Sequence, residues 1–168
     1  MNTLVQHIEA INVNTQIWVD ADPKNRWAGM VVTDPKHWAE YGITTPAEYD
    51  RYQDENTLYE LASTAYSKSY ARSLNSSDMS DAELQKAITQ YGKQAEEQIA
   101  FETKMEDENI ANFEDRVLDT INDGAGNRET AIRWILDAEG LSDERDPGFV
   151  CYKFGLPYSM ENQFKRAA

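Results

Sequence analysis

The sequence predicts a mainly α protein of the α+β class, a helical bundle carrying a small amino-terminal β-hairpin. Three observations predict it. Beyond residue 45, long stretches space their apolar residues three and four apart. Prospective helix starts carry a proline or a capping box, as at Thr45-Pro46 and Ser80-x-x-Glu83. Residues 15–34 are instead enriched in β-branched and aromatic side chains around an Asp-Pro turn.

Residues 16–20 and 28–33 read as the two strands, joined by the polar turn ADPKNR. Asp34 is placed to cap a short helix, Pro35 to open it and Gly42 to stop it. Thr45 and Pro46 repeat the device for a helix running to about Ser73, with Asp54 the point at which it could break. Residues 75–80 form a loop, and the Ser80/Glu83 box starts a helix that continues beyond Gln98. After NDGAG comes a helix from about Arg128 to Glu139, ended by Gly140, and then short pieces around FVCYKFGLPY. The organisation predicted is 1–44 for the hairpin and short helix, and 45–168 for the helical domain.

The glycine turn at 122–127 raises the prospect of a phosphate cradle. Gly124 and Gly126 match two glycines of a dinucleotide fingerprint, but Glu129 stands at the third and a helical pattern, not a strand, precedes them. Asp123 and Glu129 would also oppose an anion. The expectation is a corner, with Gly124 left-handed and Asn127 capping the next helix.

Charge is the dominant global feature: 30 acids against 16 bases give a net charge of −14. Such a chain repels nucleic acid and anionic membranes. The 4 Trp, 9 Tyr and 5 Phe speak against wholesale disorder. With one cysteine, Cys151, no internal disulfide exists, and a reducing cytoplasm is the expected location. No basic, apolar leader is evident at the amino terminus, and no apolar run reaches the roughly 18 residues of a membrane span.

The acids are not scattered. On a continuous helix, Leu84, Ile88, Tyr91, Ala95, Ile99, Ile110, Phe113, Val117 and Ile121 form one apolar stripe about 120° wide. Glu96, Glu97, Asp107, Glu108, Glu114, Asp115 and Asp119 fall on a separate face. Between Glu96 and Asp119 lie nine acids and two bases. That is one negative charge per about 4 Å of helix, against about 3.4 Å along one DNA strand.

Glu102 and Glu106 break the apolar stripe one turn apart. Buried without partners, two carboxylates cost several kcal/mol or lose their charge. They read either as a metal or acid–base pair of a metal-assisted enzyme, or as wet side chains where the helix breaks or overhangs its neighbours between Thr103 and Asn109; the wet reading is expected, since no histidine accompanies them. Tyr52, Tyr59, Tyr66 and Tyr70 share one side of the 46–73 helix and are expected to border the core. His7 and His37 read as ordinary surface or half-packed imidazoles, and Cys151 as a buried, inert thiol. Hydrolase, zinc, P-loop and EF-hand signatures are absent, so no catalytic residue, metal ligand or cofactor is assigned.

An unspecialised amino terminus, one cysteine, aromatic-rich helices and a clustered acidic face together resemble small acidic proteins of phages and mobile elements. These include antirestriction and anti-CRISPR inhibitors, some of which imitate DNA. The resemblance is one of type and carries over no residue. It implies a cytoplasmic, host-directed inhibitor occupying the basic, nucleic-acid-binding surface of a bacterial protein, itself binding neither nucleic acid nor membrane. On this reading the seven acids attract the partner, and exposed aromatics among Trp18, Trp27, Trp38 and Tyr52 hold it. A homodimer is compatible. A phage structural or assembly protein is the third alternative.

Overall fold

The computed structural model describes residues 3–165. The chain is 74% helical and forms no strand among the described residues, so the α+β class gives way to an all-helical one. The expected hairpin fails at its first strand. Residues 16–20 belong to a helix, α1 (Leu4–Asp20), whose start is fixed by a reciprocal capping box between Thr3 and Gln6. Leu4 and Ile8 are buried and Ile11 packs beside them, a helical spacing that outweighs the β-branched enrichment further along. Residues 28–33, having lost their partner strand, remain irregular.

The chain divides between Glu96 and Glu97 into two compact units. The first holds α1, α2 (Pro35–Ala39), α3 (Pro46–Ala65), α4 (Lys68–Ser73) and the opening turns of α5 (Asp81–Thr120). Asp34 caps α2 and Thr45 caps α3, with Glu48 closing the box. No break occurs near Asp54; α3 ends at Ala65, because Ser67 turns out to cap α4. Two clusters make the core. Trp38 and Tyr49 pack edge to face at 5.0 Å beside Leu4, Ile8 and Ile43, while Leu58, Ala62, Ala71, Leu84 and Tyr91 form the other. Arg51 ties α3 to the start of α5, reaching Asp81 at 2.5 Å and the Met79 carbonyl at 2.7 Å.

The second unit takes the remainder of α5, then α6 (Arg128–Ala138) and α7 (Pro147–Phe154). Its core gathers Phe113 and Val117 of α5, Ile132 and Ile135 of α6, Val150 and Cys151 of α7, and then Leu156 and Phe164. The glycine turn is the corner expected: Gly124 (φ 116°) and Gly126 (φ 76°) take left-handed backbone, and the Asn127 side chain accepts from Thr130 N at 2.9 Å. No helix among the described residues is long and apolar enough to cross a membrane.

Candidate functional site: the bare stretch of α5

α5 is one uninterrupted helix of 40 residues. The Ser80/Glu83 box starts it: Glu83 accepts from Ser80 N at 2.8 Å and Ser80 Oγ accepts from Glu83 N at 3.3 Å. The hydrogen bonds from Ser80 hold the Glu83 carboxyl below its ordinary range. Its apolar stripe buries Leu84, Tyr91 and Ala95 in the first unit and Phe113 and Val117 in the second. Ile99, on the same stripe, is 52% exposed, and every residue from 99 to 108 is exposed. Here none of the side chains is buried or half-buried. Such a stretch persists because its own hydrogen bonds continue from well-buried turns before and after it.

Glu102 and Glu106 lie in this stretch, in water. Glu102 accepts from Gln98 Nε2 at 2.8 Å, an ordinary pair one turn apart. The burial that would have made the two carboxylates an acid–base or metal pair is missing, and they form the wet overhang. Among the described residues no cluster of three or more His, Cys, Asp or Glu side chains is arranged to hold a metal ion.

The seven acids expected to attract a partner differ in condition. Glu96 ends the first unit, exposed. The other six belong to the second unit. Glu114 is half-buried and engaged by Arg128 through two bonds of 2.5 and 2.6 Å. That guanidinium, which also donates to Gln163, lowers the Glu114 carboxyl and is itself raised by it. Glu108 meets Lys104 at 3.5 Å, both largely solvated. Glu97, Asp107, Asp115 and Asp119 are exposed. Glu114 is therefore turned toward its own unit and drops out of an outward-facing set.

The sequence reading overlooked two apolar residues that sit among these acids. Glu97, Phe101, Met105, Glu108, Asn112, Asp115 and Asp119 follow one another at steps of three and four, so they form one row, and all seven are exposed. Phe101 is 59% exposed. Its position off the apolar stripe was the available signal. Of the aromatics expected to serve as anchors, Trp38 is buried and Tyr52 half-buried against the same core, whereas Trp18 and Trp27 are exposed. The tyrosine row breaks where α3 ends: Tyr66 and Tyr70 flank Tyr91 of α5, and Tyr70 and Tyr91 share a hydroxyl hydrogen bond of 2.7 Å. That bond is the main reason the Tyr91 hydroxyl is pushed up to about 12. Cys151 is wholly buried and its thiol is raised by that burial.

No protein-family model matches the chain, and neither the curated proteins nor the solved structures provide a match.

Proposed function

We propose that this chain is a cytoplasmic inhibitor whose α5 docks on the basic, nucleic-acid-binding surface of a bacterial protein and competes there with DNA or RNA. One observation carries the reading: an exposed row of acids on α5 interrupted by exposed Phe101 and Met105. Over 97–119 eight acids face two bases. Carboxylates at this density steer a cationic surface into encounter, and the attraction weakens as salt shortens the Debye length. Steering alone gives little residence time. An aromatic and a methionine within the row supply apolar contact that survives screening. With Glu114 held by Arg128 and Glu108 shared with Lys104, the outward charge density falls below that of a DNA strand. The competition is therefore one of electrostatic attraction plus apolar anchoring, not a charge-for-charge copy of the duplex.

The test is capture from bacterial lysate on the immobilised full chain, washed at rising salt and challenged with duplex DNA. Captured proteins should bind nucleic acid and be displaced by the DNA. Substituting Asp107→Lys, Asp115→Lys and Asp119→Lys together should reduce capture at least tenfold, because three attractions become repulsions. Substituting Phe101→Ala should leave the association rate alone and speed release. Capture indifferent to the charge reversal overturns the proposal.

A further inference from the structure

Ser67 caps α4, its Oγ accepting from Tyr70 N at 3.1 Å, so a new helix starts directly after α3. Ala71 of α4 is then buried with Leu58, Ala62, Leu84 and Tyr91. With Ala71 seated there, the neighbouring Tyr70 reaches Tyr91 of α5. The two hydroxyls meet at 2.7 Å, with ring centroids 6.1 Å apart and ring planes tilted by 55°. Tyr66 lies against both rings, its centroid 4.7 Å from that of Tyr70 and 6.1 Å from that of Tyr91. Tyr66 is 57% exposed, Tyr70 39% and Tyr91 9%, so the trio grades from solvent into the core. Among the described residues no other two tyrosine hydroxyls are hydrogen-bonded.

We propose that Tyr70 and Tyr91 form an oxidative cross-linking site, joined as an intramolecular dityrosine when hydrogen peroxide and a haem peroxidase act on the chain. A bond from hydroxyl to hydroxyl brings together the ring edges that carry them. The product needs that arrangement: its new carbon–carbon bond joins the carbons beside the two hydroxyls, which stay hydrogen-bonded to each other. Two phenol rings joined in this way remain twisted, so the existing tilt suits the product.

The electrons have a path. The peroxidase takes one electron from Tyr70, the more exposed partner, and the hydroxyl proton passes to water. The hydrogen atom of the Tyr91 hydroxyl then crosses the 2.7 Å bond to the Tyr70 oxygen, which leaves the radical on Tyr91 and restores Tyr70. A second one-electron oxidation of Tyr70 sets two phenoxyl radicals edge to edge. They couple through their ortho carbons, and the hydrogens on those carbons return to the oxygens as the rings regain aromaticity. In total, two protons and two electrons leave the tyrosines and reduce one hydrogen peroxide to two waters. Cys151, wholly buried in the second unit, does not intercept the radical. The new bond closes α4 onto α5 across 21 residues of sequence. It constrains the unfolded chain as a disulfide would, in a protein whose single cysteine allows no internal disulfide.

The test treats the dilute full chain with hydrogen peroxide and a haem peroxidase, while N-acetyltyrosine in a parallel sample shows that the oxidant couples phenols. The monomer should gain the blue fluorescence of dityrosine. Trypsin places the two tyrosines in separate peptides, 69–72 and 87–93, and puts Tyr66 in 52–68. Mass spectrometry should find 69–72 joined to 87–93, lighter than their sum by two hydrogens. The unfolding temperature of the cross-linked chain should rise by several degrees. Tyr70→Phe and Tyr91→Phe should each cut the dityrosine signal about tenfold, with unchanged helical content by circular dichroism. Tyr66→Phe should keep the same cross-link. Cross-links to 52–68 in place of this one, coupling only between chains, or no coupling while N-acetyltyrosine couples overturns the proposal.

Discussion

Arg128 occupies the first position of α6, where the helix dipole disfavours a cation. Glu114 resolves the conflict by meeting it with both carboxylate oxygens. Because the two side chains remain 43% and 37% exposed, solvent screens the pair, and its worth is about 0.5–1 kcal/mol. The pair has a definite pH signature. Arg128 lowers the Glu114 carboxyl, so the stabilisation is complete above the unfolded-state value and is lost as pH falls through the folded one. Glu114→Gln should therefore be less stable than the parent at pH 7 by that amount. The difference should close as pH falls below the ordinary glutamate range, as followed by urea unfolding at each pH. The sequence placed Glu114 among outward acids because a helical wheel gives direction but not neighbours. Arg128 is fourteen residues away, across the Gly124–Gly126 corner.

At the scale of elements, helix starts were legible and extended segments were not. The Thr45, Ser80 and Asn127 caps all form, because a cap is a local match between a side chain and an amide three residues on. The Thr3/Gln6 box is equally local, but the β-branched enrichment of 15–34 masked it. Strand pairing depends on a partner elsewhere in the chain, and none was left once 16–20 became helical. The apolar stripe of α5 held at both ends and failed at Ile99, since a periodic pattern does not reveal where neighbouring helices stop. The bare stretch itself is testable. Amides of 99–108 are protected only by helix hydrogen bonds, so they should exchange faster than those of 84–95 and 110–117, where α5 is buried. Thr103→Pro removes one such bond and clashes with the preceding turn, costing the helix about 3 kcal/mol. Each unit keeps its own core, so the variant should retain the near-ultraviolet signal of buried Trp38 and slow amide exchange at Ile132 and Ile135. It should gain a tryptic cut at Lys104. Loss of both signatures would mean that the cores depend on an intact α5.

For the whole molecule the question is what its surplus charge does. With 30 acids and 16 bases, a large share of the acids has no cation to meet. Glu55, Asp81, Glu108, Glu114 and Glu139 are among those that form ion pairs, most of them solvated. Repulsion among like charges therefore outweighs attraction within the folded chain, and it acts over several ångströms through water. Added salt shortens the Debye length from about 30 Å at 0.01 M to about 8 Å at 0.15 M, which relieves the many weak repulsions more than it weakens the few contacts. Thermal unfolding should accordingly shift upward by a few degrees over that range, each kcal/mol being worth about 2–4 °C for a chain of this size. The same salt should slow association with a basic partner, where attraction is what is screened. A protein whose acids served only solubility would show the first effect without the second. If salt lowers the unfolding temperature instead, internal ion pairs dominate, and the acids of α5 are too engaged at home to recruit anything.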